Sequence, residues 1–234
     1  MNTAIRNHIV AFKTVVQVKQ MSIALVCFWL PVIVFAKLAD EIVERKPIGV
    51  DSAVLSWLHA QTSPAWNAIF LFFTNAGSAF SVIAIVGVLV MYMVYKRRYR
   101  LAAVLLFSVG GAAAANVVLK LIFHRQRPAL WPSIVTEHGY SFPSGHAMAS
   151  SALVFAVIAI TWQTRYRWLA IGLGPAFALL VGASRLYFGV HFPTDIVAGW
   201  CVGFVWVLLV SSLVQNSPWQ LRHWAVRHQN DKPQ

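Results

Sequence analysis

Six apolar runs, each near the length of a membrane-crossing helix, recur along this chain with short polar or charged segments between them. A helical span needs about 20 mostly apolar residues to cross the hydrocarbon of a bilayer. The runs fall at 21–38, 80–95, 101–119, 147–162, 168–183 and 196–213. Within lipid the backbone must satisfy its own hydrogen bonds, so runs of this kind fold as helices. A composition of 59% hydrophobic and 11% charged residues makes a soluble globular protein a poor reading. The expected fold is all-α, a polytopic six-transmembrane-helix bundle, with residues 1–234 forming one integral membrane domain. No low-complexity segment or fixed-period repeat interrupts it.

The sign of the charges between the runs alternates. Arg6, Lys13, Lys19, Lys96, Arg97, Arg98, Arg100, Arg165, Arg167, Arg222, Arg227 and Lys232 fall on one side, 12 of the 19 basic residues. Basic loops stay in the cytoplasm, which puts both termini there. Asp40, Glu41, Glu44, Asp51, Glu137 and Asp195, six of the seven acidic residues, fall on the other side. Trp57, Trp66 and Trp131 on the outer side and Trp162, Trp168 and Trp219 on the inner side fit an interfacial aromatic belt. The formal charge of +12 therefore reports topology and not a nucleic-acid partner.

Between the first two runs the sequence predicts a pair of short helices at the outer membrane surface. Val54, Leu55 and Leu58 share one helical face, and Ser63-Pro64 reads as an N-cap followed by proline at the first helical position. A wall beside a functional site and a structural connector are both open readings of this pair. A cleaved signal peptide is the weaker reading of the first run, which is long for a signal and has no A-x-A site after it. Cys27 and Cys201 lie in apolar runs without metal-ligand spacing and read as buried small hydrophobes.

Three polar blocks stand at the outer edges of these runs. They are Lys120 with Arg127-Pro128, Pro143-Ser144-Gly145-His146, and Ser184-Arg185 with His191 and Asp195. Cations are expensive at the edge of a membrane, so residues kept there are better explained by chemistry than by folding. Phosphoryl transfer needs cations and N–H donors around the equatorial oxygens, a nucleophile in line and an acid for the leaving oxygen. Arg127, Arg185 and Lys120 supply the cations, Arg as a bidentate fork and Lys as a point charge. Ser144 and Gly145 precede a run rich in small residues, so they open a helix whose free N–H groups favour an anion. His191 and Asp195 are four apart, a spacing that lets the carboxylate accept one imidazole N–H and leaves the other nitrogen as a nucleophile. Carboxylates near the blocks are too few for an oxygen-rich magnesium shell, so neither metal nor other cofactor is expected.

K-x6-R-P at Lys120 to Pro128, P-S-G-H at Pro143 to His146 and S-R-x5-H-x3-D at Ser184 to Asp195 together resemble the three-part signature of the type 2 phosphatidic acid phosphatase family. All three parts match in order and spacing. The resemblance implies a metal-independent lipid phosphatase in which His191 forms a phosphohistidine, Asp195 orients it and His146 is the general acid. Lys120, Arg127, Ser144, Gly145, Arg185 and Ser184 would surround the phosphate. Among family substrates, undecaprenyl pyrophosphate at the outer face of a bacterial-type inner membrane is the first expectation, followed by phosphatidylglycerol phosphate and phosphatidic acid. The partners implied are the lipid phosphate and the bilayer.

Vanadium-dependent haloperoxidases share the signature but are soluble, unlike a chain of six apolar runs. A lipid-binding, transporting or scaffolding membrane protein that only holds headgroups is the non-enzymatic alternative, and the retained nucleophile and acid argue against it. Four residues near the blocks fall off the signature. His124 and Arg125 read either as site rim or headgroup contacts or as ordinary solvated residues, and Glu137 and His138 either as members of a solvated loop or as substrate contacts, the solvated loop being the stronger reading. His59 reads as a polar residue on an interfacial helix.

Overall fold

The computed structural model describes residues 3–44 and 49–215. Trp219, Arg222, Arg227 and Lys232, assigned above to the cytoplasmic side, lie outside the described residues. Eight helices follow in order: α1 (Thr3–Val43), α2 (Gly49–Ala60), α3 (Pro64–Ala76), α4 (Ala79–Tyr95), α5 (Tyr99–Phe123), α6 (Gly145–Thr161), α7 (Arg167–Tyr187) and α8 (Pro193–Gln215). No strand occurs among the described residues.

Each apolar run lies within one of these helices, save that the fourth ends at Trp162, the residue after α6, but span lengths differ from the expectation. By length and composition α5, α7 and α8 can cross a membrane, and α3 with α4 can do so as one span bent by 52°. The run 80–95 is thus the second half of a broken pair. The break has a local cause: Gly77 closes α3 and the Ser78 hydroxyl caps α4 by accepting from Ser81 N–H. Helix α6 is apolar but only 17 residues long. The first run sits inside a continuous 41-residue helix that carries Pro31.

The short helices α2 and α3 form as their sequence predicts. Leu55 is fully buried, and Ser63 caps α3 through its hydroxyl, with Pro64 following it. Cys27, expected inside, is exposed on α1, where an apolar surface suits lipid as well as protein. Trp57, Trp66, Trp162 and Trp168 are exposed as a belt requires. Trp131 instead packs inward, stacked 4.0 Å from the His59 ring.

Polarity is distributed inside out. Phe80, Tyr95, Leu173 and Leu213 are exposed, while Ser108, Ser150, Ser151, Arg185, His191 and Asp195 are buried. Helix α6 lies at the centre and packs against α5, α7 and α8. Its approach to α8 is close because Gly199 and Gly203 present no side chain. A Cβ on Gly199 would sit 2.8 Å from the Ser144 carbonyl oxygen, and one on Gly203 would sit 2.8 Å from that of Met148. Small residues four apart let helix backbones approach and add polar contacts, here Ser151 Oγ donating to the Trp200 carbonyl at 3.1 Å.

Gly203→Ala is therefore expected to lower the thermal unfolding midpoint in detergent, since overpacking costs about 1–3 kcal/mol. Gly172→Ala, with open space around it, should change stability little. Equal midpoints for the two variants would show that the bundle does not depend on this approach.

Candidate active site

Four helix ends converge on one face of the bundle. Helix α5 contributes Lys120 in its last turn and stops at His124, whose left-handed φ of 47° turns the chain into the segment carrying Arg125, Arg127 and Pro128. Helix α6 starts at Gly145 behind the N-cap Ser144, whose hydroxyl faces Ala147 N–H at 3.5 Å. Helix α7 delivers Ser184 and Arg185 in its last turns. Helix α8 opens with Pro193 and holds Asp195 in its first turn. The second and third blocks are joined directly, because Ser144 N–H donates to the Asp195 carbonyl at 3.0 Å.

Hydrogen bonding fixes the tautomer of His191. Its Nδ1 lies 3.3 Å from Asp195 Oδ2, an acceptor only, and its Nε2 lies 3.1 Å from Arg127 Nη1, a donor only. The proton thus belongs on Nδ1 and the lone pair on Nε2. Burial holds the ring well below the usual imidazole value, at about 4, against the opposing pull of the Asp195 carboxylate; Arg127 and Arg185 lower it further. His191 is neutral at physiological pH.

Around Nε2 lies a cradle of cations. Arg185, 1% exposed, donates to Thr74 Oγ1 and to Glu137 Oε1, and its buried Nε has no acceptor among the described residues. Arg127 donates from Nη2 to Glu137 Oε2 at 3.4 Å and is further held by the carbonyls of Gly139 and Val190. His146 Nδ1 is 4.0 Å from Glu137 Oε1. Burial would raise the Glu137 carboxyl, but Arg185 foremost, with His146 and Arg127, holds it below the usual carboxylate range. Lys120 is half-buried and interacts electrostatically with Arg127, Glu137, Asp195 and Arg185. The arrangement sets cationic side chains beside an unprotonated ring nitrogen, chemistry suited to an oxyanion.

Residues 101–219 match the model of the PAP2 superfamily. The chain belongs to the PAP2 superfamily. It is similar to phosphatidylglycerophosphatase B of Bacillus subtilis, 31% identical over 153 residues, covering 63% of this chain and 74% of that protein. It is also 27% identical over 175 residues to the undecaprenyl-diphosphatase of Sulfolobus acidocaldarius, covering 73% of this chain and 81% of that one. A crystal structure of a transmembrane PAP2-type phosphatidylglycerolphosphate phosphatase from Bacillus subtilis superposes with a TM-score of 0.70 at 25% identity, over 79% of this chain and 96% of that chain. This PAP2 protein is an integral membrane enzyme, a lipid phosphatase.

All nine site residues named from the sequence fall in the converging segments. The Ser184 hydroxyl donates to Val181 O at 2.7 Å within its own helix. Gly145 faces Asn116, whose Nδ2 donates to the Pro143 carbonyl at 3.0 Å and ties the second block to α5.

The readings of Arg125 and Glu137 need correction. Arg125 is no rim residue: it bonds Asp195 Oδ1 at 2.6 Å and Asp51 Oδ2 at 2.8 Å. Glu137 is half-buried between two arginines and does not lie in a solvated loop. Thr74 and Asp51 were missed altogether, since both come from helices far away in sequence and no spacing announces them. His124 is exposed against Tyr140, and His138 is exposed, its carbonyl accepting from Arg127.

The His191 ring is expected to stay neutral down to about pH 4. Because the unfolded ring binds its proton near 6.5, this group should cost stability as pH falls from 6.5 toward 4, and none above that range. Imidazole ¹⁵N shifts of protein in micelles, with His191→Gln to identify the signal, would read the midpoint. A midpoint at 6.5 would contradict the burial argument.

Proposed function

We propose that this PAP2 protein removes a phosphate from a membrane lipid phosphate or diphosphate through a phosphohistidine intermediate, without a metal. The observation that carries this reading is the neutral Nε2 of buried His191, bonded to the same Arg127 fork that reaches the Glu137 carboxylate. An internal carboxylate held by Arg127 and Arg185 supports an oxyanion as the natural ligand of the cradle.

In the proposed reaction the Nε2 lone pair attacks phosphorus while the phosphorus–oxygen bond to the leaving group breaks. The electron pair goes to the departing oxygen, which takes a proton from His146. Asp195 holds the Nδ1 proton and balances the positive charge that builds on the ring. Lys120, Arg127 and Arg185, with the Ser144 hydroxyl and the α6 N-terminal amide at Gly145, carry the charge of the equatorial oxygens, while the Ser144 amide is engaged by the Asp195 carbonyl and Ser184 is buried. His146 then takes a proton from water, which attacks the phosphohistidine and releases phosphate.

Undecaprenyl pyrophosphate is the first substrate proposed, with phosphatidylglycerol phosphate or phosphatidic acid as the alternative. An apolar groove of about 420 Å³ between α1, α5 and α8, lined by residues including Phe35, Leu119, Val202 and Trp206, supports an apolar tail. The full reading is a single membrane domain of six spans, with α1 and α6 crossing beside the four qualifying units. Both termini are cytoplasmic and the site faces outward.

Purified protein in detergent should release phosphate from undecaprenyl pyrophosphate in excess chelator. His191→Ala and His146→Ala should lose most turnover. Arg185→Ala should lose about 100-fold or more, as for other groups aimed at developing charge, and Arg185→Lys should recover only part. Activity abolished by chelator and restored by magnesium would refute the mechanism.

Cysteines placed at Trp131 and Arg97 in a background without Cys27 and Cys201 should label oppositely with an impermeant thiol reagent on intact spheroplasts. The first should react, and the second only after the membrane is opened. The reverse pattern would overturn the orientation.

A further inference from the structure

We propose that Asp51 and Arg125 form a positioning relay that holds the Asp195 carboxylate, and through it the His191 imidazole, in register for attack on phosphorus. The proposal rests on the phosphohistidine reading above and adds two residues outside the three-part signature.

Helix α8 begins without a cap of its own. Phe192 has no side-chain acceptor, and Pro193 has no N–H. Asp195 supplies half of a capping arrangement, its Oδ2 accepting from Phe192 N–H at 2.9 Å. The other half comes from α2, 143 residues away: Asp51 Oδ1 accepts from Thr194 N–H at 3.1 Å and its Oδ2 from Thr194 Oγ1 at 2.7 Å. Asp51 is 3% exposed. A carboxylate buried to that degree needs partners that satisfy it, and its remaining one is Arg125 Nη2.

Arg125 spans the two acids. Its Nη1 donates to Asp195 Oδ1 at 2.6 Å and to Thr194 Oγ1 at 2.7 Å, and its Cζ lies 4.1 Å from the centre of the Phe192 ring. Both oxygens of Asp195 are therefore engaged, Oδ2 by His191 and the Phe192 amide, Oδ1 by Arg125. A carboxylate held at both oxygens cannot rotate, so the Nδ1 partner of His191 has one direction. Lysine, a single point charge, cannot bridge two acids with a planar fork.

The charge count explains why two residues are needed. Arg125 facing Asp195 alone would neutralise the carboxylate that must support positive charge on His191. Asp51 returns the Asp51–Arg125–Asp195 cluster to a net charge of −1. Removing Asp51 leaves the cluster neutral, and removing Arg125 leaves two carboxylates at one helix start. The other ionisable groups facing His191 and Asp195 are Lys120 on α5, Arg127 and Glu137 between α5 and α6, His146 on α6 and Arg185 on α7. None of them is a side-chain hydrogen-bond or ion-pair partner of Asp51 or Arg125 among the described residues.

The test uses full-length protein in mixed micelles with dioctanoyl phosphatidic acid. Asp51→Asn and Arg125→Met should each lower kcat by about 10- to 100-fold, by analogy with the range seen when partners that orient metal-bound histidines are lost, with KM changed less than about 3-fold. The acidic limb of kcat/KM should move down in pH for Asp51→Asn, which removes a negative charge, and up for Arg125→Met, which removes a positive one. Arg125→Lys should recover part of kcat. Imidazole ¹⁵N shifts should report loss of the single Nδ1–H tautomer of His191 in both variants. If both keep the wild-type limb and tautomer, whatever their thermal stability, the relay is overturned and the residues are merely structural. Should Arg125→Met fail to fold, Asp51→Asn and Arg125→Lys carry the same readouts. Should wild-type protein not hydrolyse the probe, the phosphatidic acid reading fails instead, and the tautomer measurement alone decides the relay.

Discussion

The close contact between α6 and α8 governs the rest of this molecule. Gly199 and Gly203 let the two backbones approach to the point where any Cβ would meet a carbonyl oxygen. That approach brings two helix N-termini together at one end of the bundle, and Ser144 N–H bonds the Asp195 carbonyl across them. The P-S-G-H and H-x3-D segments are adjacent because their helices are. Lys120, Arg127 and Arg185 are then added by the ends of α5 and α7, which pack on the central helix.

Gathering cations at two helix N-termini looks unfavourable, because the positive ends of the dipoles already favour anions. The conflict is resolved by carboxylates brought from elsewhere in the chain. Asp51 arrives on α2 and Glu137 on the α5–α6 connection, and each pairs with an arginine. Asp195 has two duties in the same position, closing the start of α8 and orienting His191. The cap and the orienting contact are made by one side chain, so helix stability and site geometry are linked.

Burial acts on the chemistry as well as on the fold. His191 is 1% exposed, and withdrawal from water keeps its ring neutral and its Nε2 lone pair available. The same burial leaves Arg185 dependent on protein partners, of which Thr74 on α3 and Glu137 are the ones it finds. The bent α3–α4 pair thus reaches the site through a threonine on α3.

Much was legible in the sequence because it depends on local pattern. Apolar runs located the helices, Ser63 and Ser144 announced caps, and the three blocks carried all nine named site residues. Position within a helix end is a short-range property, fixed by proline, glycine and hydroxyl side chains near it. The tertiary structure alone decided what those ends meet. Arg125 read as rim because its partner Asp51 lies 74 residues away, and Glu137 read as solvated because the two arginines that hold it come from different segments. Span lengths diverged for the same reason: hydropathy measures composition, whereas the bend at Gly77 and Ser78 is set by caps and by packing of α3 on α7. Charge pairs across such separations carry no periodic signal, so only folding brings them within hydrogen-bond reach.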